Sequence, residues 1–492
     1  MNFEEYRAHD ATGLAALVST GEVSATELLE AAQARAAQVN PQFNAIVIGM
    51  NDIGASRARE ALSGPFAGVP FLVKDIVQDY AGVPATSGSR ALAKYVPESH
   101  AEIVNRMLAA GLVIFGKTNT PELALKGVTE PLAYGPTRNP WNPDHTPGGS
   151  SGGAGAAIAS GIVPMAGASD GGGSIRIPAG YCGLFGLRPS RGRVPAGPRH
   201  AEFWEGASSE HVLSRSVRDS AAMLDALAGP DVGAPFKISR PHKSFAALAA
   251  ETPGKLRIAY TTRSPIDTPV DPEAVQAVES TVTLLRELGH EVENAEPQID
   301  GGELARCYVT MYMGQVAAAM THAREQLGAR DHEFELETRA LGMLGRALSA
   351  GDYVNAHLKW NRFGRAMGAL FQDYDLYLTP TAAQKPARIG EESLPPSQQF
   401  ALKIILALRA GGLLLKTGIV DQMARDSLQR VPFTQLSNLS YTPSMSVPLH
   451  WTADGLPMGS HFIAPVGEEG RLLALAQQLE QARPWFGRLP PD

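Results

Sequence analysis

Apolar and polar positions fall into two alternating rhythms along the chain. Near the N-terminus, apolar residues recur every three to four positions over residues 12–20 and again over residues 24–39. The second run opens with Ser24-Ala25-Thr26-Glu27, a capping box, so two amphipathic packing helices are predicted. Prolines 65 and 70 end that rhythm. Phe71-Leu72-Val73-Lys74-Asp75-Ile76-Val77 follows, an apolar run of strand length interrupted by two charges. A further cap at Ser99 predicts a helix to Gly111, and residues 112–115 predict a strand that leads into Gly116-Lys117-Thr118-Asn119. Residues 256–260 read as a strand, Asp271-Pro272-Glu273 starts a helix that stops at Gly289, and another strand begins at Glu291. Such a βαβ unit predicts a largely parallel sheet.

Two later stretches are more apolar. Residues 307–320 (CYVTMYMGQVAAAM) are rich in methionine and tyrosine, which suits a core helix and also a wall that accepts apolar molecules. Residues 401–420 are apolar but cut by Lys403, Arg409 and Lys416, too finely for a membrane span. Gly411-Gly412 predicts a bend there, in either a core or oligomer helix or a lid.

Charge and cysteine content narrow the classes of function. The 492 residues carry 43 Lys+Arg against 50 Asp+Glu, a net charge of −7, with no basic run, so nucleic acid is not an expected partner. Two cysteines, Cys182 and Cys307, argue against a disulfide framework or a cysteine metal site and fit a reducing compartment. The opening MNFEEYRAHD is acidic and lacks an apolar core, so no signal peptide is read and a cytoplasmic protein is expected.

Chemistry concentrates in residues 146–189, where serine and glycine crowd around few bulky side chains. Ser150 and Ser151 stand in one glycine run and Ser174 in another, with a small-residue helix predicted over 153–161 and a strand over 162–168 between them. That strand delivers Asp170-Gly171-Gly172-Gly173-Ser174 at its carboxyl end, where open α/β sheets place their sites. Consecutive N–H groups of Gly171, Gly172, Gly173 and Ser174 can form a nest of the kind an oxyanion hole needs. Two rival readings fail. A flexible linker lacks an embedded apolar strand. A nucleophile elbow at Gly149-Ser150-Ser151-Gly152-Gly153 requires a preceding strand, which Pro140, Pro143 and Pro147 exclude. Lys74 is the second signal: strand alternation sends it and Asp75 to opposite faces, so the adjacent carboxylate cannot neutralise it. Lys117 also follows an apolar run and is the rival base, but its place beside polar residues favours a solvated role.

These segments resemble the amidase signature family, which carries a GGSSGG motif followed by G-T-D-T-G-G-S-I-R-x-P-A. Here Ala168, Ser169 and Gly171 replace the first glycine and the two threonines. The Lys74-Asp75 setting, Tyr134-Gly135-Pro136-Thr137-Arg138-Asn139-Pro140-Trp141, Arg191-Gly192-Arg193-Val194 and the stretch 433–448 extend the resemblance from about residue 10 to the C-terminus. The resemblance implies an α/β fold, a large mixed, mostly parallel twisted sheet covered by helices on both faces. It implies one domain over 1–492, with a helical layer at 1–64, a catalytic core at 65–235, substrate-side helices at 236–430 and closing strands at 431–492.

It also implies a metal-independent, cofactor-free amidase with Ser174 as nucleophile, Ser150, preceded by a cis peptide, as proton relay, and Lys74 as general base. Gly171, Gly172, Gly173 and Ser174 are then the oxyanion hole, supported by Ser151, Asp170 and Arg176. The substrate expected from the apolar stretches is a hydrophobic linear or cyclic aliphatic or aryl amide, with no membrane partner and a homodimer left open. The alternatives are the glutamine-hydrolysing subunit of a tRNA-dependent amidotransferase and a non-catalytic binding relative. Tyr441 departs from the pattern, which has glycine there.

Overall fold

In the computed structural model, which describes residues 1–491, the strands are β1 (Ile46–Gly49), β2 (Pro70–Lys74), β3 (Val113–Thr118), β4 (Met165–Asp170), β5 (Phe185–Arg188), β6 (Ser209–Ser214), β7 (Arg257–Tyr260), β8 (Glu291–Asn294), β9 (Leu376–Pro380), β10 (Ser444–Trp451) and β11 (Pro457–Ile463). They hydrogen-bond into one sheet of 11 strands in the order β1-β3-β2-β4-β6-β5-β10-β11-β9-β7-β8.

The sheet is mixed, and parallel pairing is confined to two blocks. β3, β2 and β4 are parallel to one another, as are β9, β7 and β8. Between them, β4, β6, β5, β10, β11 and β9 pair antiparallel throughout. Antiparallel pairs therefore prevail over the mostly parallel expectation. The βαβ signal at 256–294 is real, as β7 and β8 pair in parallel around the helix Pro272–Glu287, but it describes one end of the sheet. The centre is built by the β10–β11 hairpin and by β5 and β6, which patterning leaves unassigned.

Alternation along the strands shows that both faces are covered. Ile258 of β7, Leu376 and Leu378 of β9 and Phe462 of β11 join one apolar cluster with residues of the helices Val217–Leu227, Pro272–Glu287 and Glu469–Ala482. Their neighbours Ala259, Tyr377 and Ile463 join a second cluster with the helices Gly301–Leu327 and Ala350–Leu370. Successive side chains of a strand point to opposite faces, so these are two separate layers. A third cluster packs the N-terminal helices Ala11–Thr20 and Ala25–Phe43 around β2, β3 and β4. The capping box read from the sequence starts the second of these helices, with Ser24 and Glu27 side chains each bonded to the other's backbone N–H.

The two later apolar stretches part ways. Residues 307–320 lie within the helix Gly301–Leu327, where Cys307, Met311, Met313 and Met320 are buried as core. Residues 401–420 form no single helix. The chain breaks there into Pro396–Ala407, Gly411–Leu414 and Ile419–Leu428, with Phe400 66% exposed and Leu408 73% exposed, so this is a surface element. Among the described residues no helix is long and apolar enough to cross a membrane.

Candidate active site

β2 and β4 lie side by side, registered at Leu72 and Ala166, and carry their last residues, Lys74 and Asp170, to the same edge of the sheet. The Lys74 side chain is fully buried. Its Nζ donates to Ser150 Oγ at 2.8 Å and Ser169 Oγ at 3.1 Å. Burial in this apolar strand pulls the ammonium down from 10.5 to about 7, against the opposing pull of the Asp170 and Glu210 carboxylates. Asp75 faces away, as alternation requires. Its carboxylate accepts from Thr86 N at 3.0 Å and Thr86 Oγ1 at 2.5 Å, and burial pushes it up to about 6.

Ser150 follows a cis peptide bond from Gly149 and immediately precedes Ser151 and the buried helix Gly152–Ala159. Every residue of that helix is buried, and glycine and alanine fill all but one of its positions. Ser151 Oγ donates to the Ser169 carbonyl at 3.3 Å and accepts the Ser169 N–H at 3.4 Å, tying the serine doublet to β4.

The glycine run turns around Asp170. Its carboxylate accepts from the N–H of Gly173 (2.7 Å) and of Ile175 (3.1 Å), from Arg176 Nε (2.9 Å) and Nη2 (2.8 Å), and from Asn438 Nδ2 (2.9 Å). Burial alone would raise this carboxyl, but the Arg176 guanidinium holds it well below the usual carboxylate range. Arg176, also fully buried, donates onward to the Thr434 carbonyl at 2.8 Å, Ser437 Oγ at 2.7 Å and Asn438 Oδ1 at 2.7 Å. The Asp170–Arg176 pair read from the sequence is thus the hub that joins the loop to the helix Gln435–Leu439.

Two glycines of the loop are required by their surroundings. A Cβ on Gly172 would stand 1.6 Å from the Tyr308 hydroxyl, and Gly173 has φ +123°, a backbone that side chains disfavour. The Gly172 carbonyl is pinned by Thr434 Oγ1 at 2.6 Å and Gln435 Nε2 at 3.1 Å. The N–H groups of Gly171, Gly172 and Ser174 have no partner among the described residues. Gly173 differs from expectation: its N–H donates to Asp170 and so braces the turn instead of facing outward. Ser174 is half-buried at the end of the run, and its hydroxyl is engaged by no group among the described residues.

Several residues around the site escape a reading of motifs. Ser169 shares Lys74 with Ser150, Gln78 Oε1 accepts the Lys74 N–H at 2.8 Å, and Glu210 sits opposite Ser169 across the β4–β6 pair. Burial pushes the Glu210 carboxyl up to about 8. Thr434, Gln435 and Asn438 come from far along the chain, and although they lie in the stretch 433–448 that carries the resemblance, nothing there assigns them a place at the site. Lys117 requires a correction. β3 continues through it, so its side chain is fully buried, and its Nζ has no hydrogen-bond partner among the described residues.

A cleft of about 590 Å³ opens near the loop and reaches it through Trp204, while Lys74, Ser150 and Ser174 are not among the residues that line it. Its apolar walls come from Ile76 and Val77, just past Lys74, from Leu123 and Leu125, and from Val316 and Ala319 of the helix Gly301–Leu327. Trp204 lines it as well, stands against Gly171, and packs on Tyr312 at a ring separation of 4.8 Å. Arg199 crosses the rim, donating to Tyr95 and sharing a 3.1 Å hydrogen bond with His322. Tyr441 has φ +63°, a left-handed backbone where glycine is favoured; its ring lies 4.4 Å from the Arg191 guanidinium, and its hydroxyl shares a 3.2 Å hydrogen bond with His357 Nε2.

Comparison with known proteins adds to this geometry. Residues 27–473 match the Amidase family. The chain is 38% identical to the 6-aminohexanoate-cyclic-dimer hydrolase of Paenarthrobacter ureafaciens, over 98% of this chain and 96% of that one. Among solved structures, a 6-aminohexanoate cyclic dimer hydrolase complexed with substrate superposes with a TM-score of 0.90 at 35% identity, covering 98% of both chains. A bacterial aryl acylamidase of the amidase signature family superposes with a TM-score of 0.85 at 28% identity, covering 97% of this chain and 96% of that one.

Proposed function

Since the chain belongs to the amidase signature family and is an amide-hydrolysing enzyme, we propose that it cleaves a hydrophobic aliphatic or aryl amide through a seryl acyl-enzyme, with Ser174 as nucleophile, Ser150 as proton relay and Lys74 as base. The observation that carries the assignment is the 2.8 Å contact of a fully buried Lys74 Nζ with Ser150 Oγ. A serine hydroxyl is too weakly acidic to attack an amide unaided. Burial draws the Lys74 ammonium down to about 7, so near neutral pH it is available in the neutral form that can take a proton.

In this reading Ser174 Oγ bonds to the carbonyl carbon and gives its proton to Ser150, which passes its own to Lys74 Nζ. The resulting oxyanion lies against the N–H groups of Gly171, Gly172 and Ser174, each worth roughly 3 kcal/mol in the barrier. Lys74 then returns the proton through Ser150 to the leaving nitrogen as the C–N bond breaks. Water, deprotonated along the same relay, hydrolyses the ester and restores Ser174. Asp170, Arg176 and Ser151 hold the loop and the serine doublet in place and touch no reacting atom. Gly173 belongs with them.

The cleft supports the substrate class: its walls are mainly aliphatic and aromatic, and its one arginine, Arg199, is already taken up by Asp79 and His322. The relative whose name specifies a cyclic 6-aminohexanoate dimer supports a substrate built of methylene chains joined by amides. Burial contributes roughly 0.8 kcal/mol per CH₂, so three added methylenes raise kcat/KM by roughly 10- to 100-fold where that burial is realised in the transition state. Measuring kcat/KM along an alkyl amide series, with glutamine beside it, tests this. A flat series with glutamine preferred, or activity only on adding partner subunits, would instead favour the glutamine-hydrolysing subunit of an amidotransferase.

A further inference from the structure

Across the helix Gly301–Leu327 from the cleft, a second cavity of about 430 Å³ opens between that helix, the helix Leu336–Ala347 and the turn after Pro396–Ala407. Four guanidinium groups line it: Arg324, Arg339, Arg346 and Arg409. One carboxylate, Asp331, lies among them, and it is taken up by Arg324, whose Nε and Nη2 both reach its Oδ1 at 2.7 Å. Arg339, Arg346 and Arg409 form no ion pair or side-chain hydrogen bond with the described residues. The segment that supplies Arg409 offers no counter-charge, since residues 393–420 contain neither aspartate nor glutamate.

Such crowding is unusual in a chain whose net charge is −7. Partial burial, together with the charges of Arg324 and Arg409, holds the Arg346 guanidinium below its ordinary value, so like charges face one another across the cavity. Hydrophobic packing does not require this arrangement: Met320 and Met343 form the apolar floor and make no use of the charges. A planar guanidinium presents paired donors that match tetrahedral oxyanions bidentately, and several converging on one concavity neutralise more than one negative charge.

We propose that this pocket binds a multivalent oxyanion of the phosphate type. The site is separate from the serine and lysine cluster and independent of the amide chemistry. It shares with that cluster only the helix Gly301–Leu327, which carries Met320 and Arg324 to the pocket and Tyr308 to the glycine loop.

Isothermal titration of the full chain with sodium pyrophosphate, at ionic strength held constant with chloride, tests the proposal. Saturable one-site binding is expected, weakened at least tenfold in Arg346→Ala/Arg409→Ala, whose side chains are exposed and make no bonds in the fold, and unchanged in the distant surface variant Arg365→Ala. Heat no greater than the chloride control, or unchanged affinity in the double variant, overturns it. A second arm, flotation with phosphatidylcholine vesicles containing phosphatidic acid, separates the sources of the same chemistry. Vesicle capture released by pyrophosphate and lost in the double variant assigns the pocket to a headgroup, and capture that persists in the double variant counts against the pocket.

Discussion

Replacing Lys74 by methionine abolishes turnover in this reading, but the more searching effect is on stability and its pH dependence. The fold holds Lys74 from 10.5 down to about 7, so between these values the unfolded chain carries a proton that the folded chain has lost. The sign is opposite to that of a lysine in a salt bridge. The fold disfavours the charged form, the destabilisation is complete below pH 7, and stability rises with pH until about 10.5. Each pH unit within the window is worth about 1.4 kcal/mol per proton, so wild type gains about 2 kcal/mol relative to Lys74→Met between roughly pH 7.5 and 9. The variant also leaves Ser150 and Ser169 without the lysine donor, a loss that shifts the absolute difference but hardly its slope. Denaturant unfolding of both proteins across this range measures the slope. Because burial pushes the Glu210 carboxyl up to about 8, inside the same window, the comparison is repeated in a Glu210→Gln background. Parallel curves in that background would mean that Lys74 is not held neutral by burial and that the proposed base is wrong.

The same titration gives kcat/KM a limb that rises with pH through about 7, since the base works only when deprotonated. Ser174→Ala eliminates turnover, and a fluorophosphonate labels Ser174 in wild type; a labelled Ser151, identified by peptide mass, would revive the nucleophile elbow. Lys117→Ala keeps far more of the acylation rate than Lys74→Ala in single-turnover measurements, because Lys117 Nζ contacts neither serine. Gly172→Ala, whose Cβ would meet the Tyr308 hydroxyl at 1.6 Å, lowers kcat by at least a hundredfold with the fold retained by circular dichroism; near-normal kcat would show that the loop is not held against Tyr308.

What the sequence made legible was local. Capping at Ser24, the apolar β2 run and the glycine-flanked serines are short-range patterns, and each marks an element or turn found at that place. Lys74 could be singled out because it interrupts an apolar run, Phe71-Leu72-Val73 before it and Ile76-Val77 beyond Asp75, whereas Lys117 looked solvated because Gly116 and Thr118 mimic a strand end although β3 runs through them. Sheet order was not legible, since antiparallel pairing of β4 with β6 and of β5 with β10 depends on packing between distant segments. The same limit hid Thr434, Asn438 and Glu210. Thr434 and Asn438 sit in the 433–448 stretch without a signal that ties them to the glycine loop, Glu210 has no motif, and each matters through a contact with a residue more than forty positions away or across a strand pair. Tyr441 was visible as an oddity, but only its positive φ explains why glycine is usual there.

The place of β5 in the sheet bears on how the protein is made. β5 is held on one side by β6, close in sequence, and on the other by β10, which begins at Ser444. A ribosome delivers the serines, the lysine and the glycine loop early and the strand that closes β5 almost last, together with Thr434, Ser437 and Asn438, which grip Arg176. Until then the growing chain carries an open strand edge and a guanidinium with half its partners unmade. Translation itself therefore sets the order of events. A polypeptide cut short before residue 434 holds every proposed reacting group yet lacks Thr434, Ser437 and Asn438, the residues that brace the turn from the far end of the chain.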